Sequence, residues 1–282
     1  MLKPKEPKER IRREVKKGFR NRLPARLKEK KLKVLSLSAV IPNITTMLAL
    51  CAGMTAVRMA LLERWDLAVV AILIAGFLDG MDGRLARLLG SSSRFGAELD
   101  SFSDLISFGA APALVIYLKG LHQWGETGWA IALFFTVCMA LRLARFNTRS
   151  IEGLESPVWS QEFFTGVPAP AGAYLALMPI IMQQYFTAPF LQTPLFTAIV
   201  LLATSGLMVS RIPTYSLKKV TIPHRLVLPL MLLVVLTASA IYSQPWLTLS
   251  LIGFAYLGLI PFSIKSYLKL KAEMQAQPAE QV

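Results

Sequence analysis

Eight apolar stretches follow one another along this chain, and four closely spaced aspartates, Asp79, Asp82, Asp100 and Asp104, sit within two of them. The stretches cover about 36–61, 66–88, 96–118, 125–147, 166–186, 191–210, 224–243 and 246–268. Each is close to the roughly 20 residues a helix needs to cross a bilayer. Hydrophobic residues make up 54% of the 282 positions, charged residues 17%, and mean hydropathy is +0.49. A soluble globular domain carries about 25% charge. The expected fold is therefore all-α: a polytopic membrane helix bundle of about eight transmembrane helices over 34–270. A basic cytoplasmic arm, 1–33, precedes it and a polar tail, 271–282, follows.

Charge sets the expected orientation. Residues 1–33 carry 15 Lys and Arg against 4 Glu, which is +11 of the chain's net +14. This arm is too long and too basic for a secretory signal, and no short apolar region with a small-residue cleavage site follows it. It reads either as a segment lying on anionic lipid or as a solvated tail that sets topology. Nucleic acid is not an expected partner. Further basic residues crowd the turns at 84–94, 142–149 and 211–225, whereas 187–194 and 243–245 carry no charge. The positive-inside rule then places both termini and the aspartates on the cytoplasmic face.

The aspartates are Asp79, Asp82, Asp100 and Asp104. A charge at the bilayer centre costs about 2.5–3.5 kcal/mol even on the lenient insertion scale. Residues three and four apart share a helix face. Asp79, Asp82, Gly83, Ala86 and Arg87 thus line one side of the second span, and Gly96, Asp100 and Asp104 one side of the third. The short turn Leu89–Arg94 makes the two spans an antiparallel pair, so the carboxylate faces meet. Several oxygen ligands without His or Cys suit the hard cations Mg²⁺ or Mn²⁺, and two such ions bridged by carboxylates form a clamp for phosphoryl chemistry. Gly83 and Ala86 leave room for a flat group such as a nucleotide, Gly96 relaxes crowding opposite, and Arg87 suits a phosphate. Helix capping paired with arginines explains one or two of these aspartates, not four. An ion pathway predicts acids spread through the bilayer depth and often an internal repeat. Here the acids cluster at one face and no repeat is visible.

The string Asp79-x2-Asp82-Gly83-x2-Ala86-Arg87-x8-Gly96-x3-Asp100-x3-Asp104 resembles the full signature of the CDP-alcohol phosphotransferase family. That resemblance implies a reaction in which an alcohol attacks the β-phosphorus of a CDP-linked substrate and CMP leaves. It implies Asp79, Asp82 and Asp100 as the core ligands of two divalent ions. Asp104 would complete the metal site and act as general base, with Gly83, Ala86 and Arg87 along the cytidine nucleotide. It also implies a homodimer. Four further segments, 41–46, 107–112, 140–147 and 163–170, resemble those of the bacterial phosphatidylserine synthases. This narrower likeness implies CDP-diacylglycerol and L-serine as substrates, membrane lipid as surroundings, and the bacterial inner membrane as location. Another acceptor, such as glycerol 3-phosphate, inositol phosphate or choline, remains the alternative.

L-serine is a zwitterion, so its site should offer a cation for the carboxylate. Arg142, Arg145 and Asn147 end the fourth span at the expected face, with Arg211 behind them; they either hold the acceptor or anchor the helix end. Asn43 and Thr46, on one face of the first span, either bond nucleotide or, in the case of Asn43, cap that helix. Cys51 and Cys138 read as small buried hydrophobes.

Overall fold

The computed structural model describes residues 37–90, 93–151, 163–215 and 224–276. The basic arm lies outside them. Among the described residues, nine helices are built over the eight apolar stretches: α1 (Leu37–Leu61), α2 (Trp65–Leu88), α3 (Arg94–Lys119), α4 (Gly125–Ile151), α5 (Ala169–Ala176), α6 (Met178–Gln183), α7 (Pro194–Val209), α8 (His224–Ser243) and α9 (Pro245–Ala276). Two three-residue strands, β1 (Phe163–Thr165) and β2 (Pro213–Tyr215), pair antiparallel with Phe163 opposite Tyr215.

Five helices among the described residues are long and apolar enough to cross a bilayer: Val40–Leu61, Arg94–Lys119, Leu121–Thr148, Arg225–Ser243 and Pro245–Leu270. The protein is thus a multi-pass membrane helix bundle, but eight full spans do not emerge. Helix α2 carries Asp66, Asp79, Asp82, Arg84 and Arg87, and α7 has only 16 residues. The stretch at 166–186 divides into α5 and α6 around Leu177. Pro179 explains the interruption, since it lacks an N–H and its ring crowds the carbonyl four residues back. Helix α9 runs to Ala276, into the segment expected to be a polar tail. Lys, Ala, Glu, Met and Gln there are strong helix formers, so the helix continues past its apolar part.

Helices α1 and α2 pack along each other, with Ala56, Ala60, Ala68, Val69, Ile72 and Ala75 buried between them and their neighbours. Small side chains allow this close approach. Helix α3 lies against α1 at a glycine: a Cβ on Gly53 would sit 2.5 Å from Ser107 Oγ and 2.7 Å from its Cα. The hydroxyls of Ser103 and Ser107 donate to the α1 carbonyls of Thr46 and Ala49 at 3.1 and 3.2 Å. Helix α8 is apolar and exposed on every side, with Leu226, Leu228, Met231, Leu232, Val234 and Val235 all outward. In a membrane protein those side chains face hydrocarbon. The cysteine expectation holds for Cys138, which is buried, and fails for Cys51, which is exposed on α1.

Candidate active site

Three helices converge at one end of the bundle. Ser93 caps α3, accepting from the Gly96 N–H at 3.0 Å. The turn before it requires Gly90, whose φ is +57°. This tight return sets the last turns of α2 beside the first turns of α3. Carboxylate oxygens of Asp79, Asp82 and Asp100 then lie within 4.8 Å of one another. Asp104, one turn further along α3, reaches the Asp79 carboxylate.

The chain then widens. Leu105–Ala110 form a π-helical segment directly after Asp104, closed by the Ala111 N–H donating to Ile106 O. Such insertions are frequent at functional sites. This one offsets the rest of α3 from the face that carries Asp100 and Asp104. No sequence signal pointed to it.

Two features test whether these residues fit a divalent ion. Oδ1 of Asp100 and Oδ1 of Asp104 are both buried, and neither accepts a hydrogen bond among the described residues. A buried polar atom left unpaired costs about 1–3 kcal/mol, more when charged. The donor set is all carboxylate oxygen, which suits Mg²⁺ or Mn²⁺. The residues fit the group. Asp82, only 5% exposed, is oriented separately: its Oδ2 accepts from the Thr46 hydroxyl at 2.7 Å.

Asp82 and Asp100 also border a cleft of about 190 Å³. Its other walls are Pro42, Asn43 and Thr46 from α1, Gly83 and Ala86 from α2, and Ser93, Gly96 and Ala97 around the start of α3. A Cβ on Gly83 would meet nothing within 4 Å, so that glycine faces open space. Gly96 differs: a Cβ there would stand 2.9 Å from Asn43 Oδ1. Its missing side chain lets Asn43 approach α3. Asn43 lies well inside α1, so it is not that helix's cap. Arg87 is exposed on the last turn of α2, with its Nε donating to Gly83 O at 3.0 Å, and it does not line the cleft.

The three polar residues of α4 separate. Arg142 donates through Nε to Val167 O at 2.7 Å, and its guanidinium lies within electrostatic range of Asp104 and Asp79. Arg145 binds the end of α7, donating to Val209 O at 2.7 Å and Ser210 O at 3.4 Å. Asn147 donates to Ser101 Oγ at 2.8 Å and so ties α4 to α3. Arg211 is exposed. A small platform supports this side. Gly166 has φ +80°, and a Cβ there would lie 2.7 Å from Met208 O. Its N–H donates to Ile212 O at 2.8 Å, and its carbonyl accepts from the Thr214 hydroxyl at 2.9 Å. One neighbour was not anticipated: Tyr256 of α9, whose hydroxyl lies within electrostatic range of Arg142. The available signal was a tyrosine midway along an apolar helix, where a polar tip usually finds a partner.

A multi-pass membrane bundle closed around four converging carboxylates and a small polar cleft is the framework of a membrane-embedded transferase. The sequence model described as CDP-alcohol phosphatidyltransferase matches residues 39–210, and a second, CDP-alcohol phosphatidyltransferase 2, matches 225–261. The chain belongs to the CDP-alcohol phosphatidyltransferase family. Similar curated proteins carry the name CDP-diacylglycerol--serine O-phosphatidyltransferase. That of Mycobacterium leprae is 38% identical over 84% of this chain and 78% of its own length. That of Mycobacterium tuberculosis is 37% identical over 80% and 79%. The Helicobacter pylori protein is 34% identical over 77% and 88%.

Proposed function

We propose that this enzyme transfers the phosphatidyl group of CDP-diacylglycerol to the hydroxyl of L-serine, giving phosphatidylserine and CMP. The observation that carries the proposal is the convergence of Asp79, Asp82 and Asp100, with Asp104 against Asp79, beside a cleft walled by Gly83, Ala86 and Gly96. The names of the relatives supply the donor and the acceptor. The surroundings proposed are the bacterial inner membrane, with both termini and the site cytoplasmic, and the assembly a homodimer.

Residue roles follow from position. The four aspartates would hold two divalent ions, Mg²⁺ or Mn²⁺, with Thr46 orienting Asp82. Those ions, when bound, offset the charge of the diphosphate and of the departing CMP. Gly83 and Ala86 give the cytidine nucleotide access to the helix surface, Asn43 and Gly96 form the opposite wall, and Arg87, exposed one turn beyond Gly83, is available to a phosphate outside the cleft. The acyl chains stay in lipid beside the bundle. Asp104 accepts the proton of the serine hydroxyl as its oxygen attacks the β-phosphorus; the bond from that phosphorus to the CMP oxygen breaks. Burial of Asp104 keeps bulk water from competing as acceptor.

Arg142 is the α4 residue that faces the inner aspartates, while Arg145 is engaged with backbone carbonyls and Asn147 with Ser101. One guanidinium suits a carboxylate, and a phosphorylated acceptor calls for a denser basic cluster. This favours serine over the phosphorylated alternatives. The test is CMP release by purified protein in mixed micelles with CDP-diacylglycerol and Mg²⁺ or Mn²⁺, against L-serine, glycerol 3-phosphate, inositol phosphate and choline. Serine-dependent release is expected. Release with another acceptor alone would overturn the choice of serine.

A further inference from the structure

The serine assignment above leaves open what, besides Arg142, recognises the acceptor. Helix α9 brings a candidate from outside the signature. It packs against β2 and α6. The Tyr256 hydroxyl is buried and makes no hydrogen bond of good geometry among the described residues, although Thr214 lies close by. The Thr214 hydroxyl donates to Gly166 O at 2.9 Å, so toward Tyr256 it has only acceptor capacity left. Arg142 is the charged group nearest in electrostatic effect on Tyr256, and the same guanidinium acts on Asp104 and Asp79. Tyr256 and Asp104 thus both lie within electrostatic range of Arg142, and Thr214 and Arg142 bond the adjacent carbonyls of Gly166 and Val167, so side chains of α9, α4 and α3 face one region.

Arg142 is held there by its Nε bond to Val167 O. Among the described residues its two Nη groups donate no hydrogen bond, which leaves the planar edge that pairs with a carboxylate. A buried hydroxyl left without a partner is unfavourable. Retaining one within electrostatic range of that guanidinium makes sense where a ligand supplies the acceptor.

We propose that Tyr256 is a specificity-determining residue of the acceptor site, its O–H donating to the carboxylate of L-serine while Arg142 grips the same carboxylate. The serine hydroxyl is then directed toward Asp104, and α9 completes a site whose other residues come from the first four helices. This rests on the serine reading. An acceptor lacking the carboxylate leaves both Arg142 and Tyr256 without a partner, so the site should favour amino acid over amino alcohol.

The experiment compares wild type with Tyr256→Phe in mixed micelles, measuring kcat and KM for L-serine and for ethanolamine, the same amino alcohol without the carboxylate. Binding of CDP-diacylglycerol and the thermal midpoint in detergent are measured alongside. A hydrogen bond to a charged group is worth about 1.5–3 kcal/mol, so KM for L-serine should rise roughly 10- to 100-fold. Turnover of ethanolamine and CDP-diacylglycerol binding should not change, so preference for the amino acid falls by the same factor. An unchanged KM for L-serine, or an equal loss with both acceptors, overturns the role of Tyr256. If wild type releases no CMP with L-serine at all, the serine reading fails, and the assignment of Tyr256 to its carboxylate falls with it.

Discussion

The Thr46–Asp82 contact allows a test of the metal site that leaves every carboxylate in place. Thr46 is buried on α1, and its hydroxyl donates to Asp82 Oδ2 at 2.7 Å while lying 3.1 Å from Pro42 O. A hydroxyl has one proton, and the shorter contact to a charged acceptor takes it. Thr46→Val keeps the branched shape and removes the donor. Hydrogen bonds to charged groups contribute about 1.5–3 kcal/mol. Loss of a partner that orients a metal ligand typically costs 10–100-fold in metal affinity. The two figures agree, because a factor of ten is about 1.4 kcal/mol. Half-maximal CMP release by Thr46→Val should therefore need roughly 10- to 100-fold more Mg²⁺ than wild type, with kcat recovered once metal saturates. Thr46→Ser, which keeps the hydroxyl, should stay near wild type. The same metal dependence for Thr46→Val and wild type would refute the reasoning, as would a loss that no metal concentration restores.

Three other substitutions probe separate parts of the molecule. Asp104→Asn should lower kcat by about 10²–10⁴-fold, the usual contribution of a general base, while CDP-diacylglycerol still binds in an equilibrium assay. Near-normal turnover would remove Asp104 from that role. Gly53→Ala drives a methyl to 2.7 Å from Ser107 Cα, a backbone atom that cannot rotate away. Overpacking of this kind costs about 1–3 kcal/mol, so the detergent-solubilised protein should unfold at a distinctly lower temperature; an unchanged midpoint would mean that α1 and α3 part easily. Arg145→Gln gives up the bonds to Val209 O and Ser210 O. It should lower the thermal midpoint and leave KM for L-serine unchanged, and a raised KM would move Arg145 from structural tie to acceptor contact.

Much of the site could be read along the chain because helices translate spacing into direction. Asp79 and Asp82 are three apart, Asp100 and Asp104 four apart, and only a few residues of chain join the two helices. Their approach follows from local geometry alone. The open face at Gly83 follows in the same way. Arg142, Arg145 and Asn147 also share one helix end, yet spacing could not rank them. Their different roles depend on Val167, Val209 and Ser101, which are distant in sequence or belong to other helices.

The apolar composition and the aspartate spacing were enough to determine a membrane-embedded helix bundle with a carboxylate site at the junction of its second and third long helices. Hydropathy and helical period act over a few turns, and the sequence displays both directly. Tertiary structure decided what lies around that site. It brought α9 and Tyr256 to Arg142, closed Gly96 onto Asn43, placed a π-helical turn after Asp104, and committed Arg145 to the end of α7. Each of these depends on which apolar faces pack together. In a chain where nearly every helix is apolar on most sides, periodicity leaves that choice open, and close contacts at Gly53, Gly96 and Gly166 help make it.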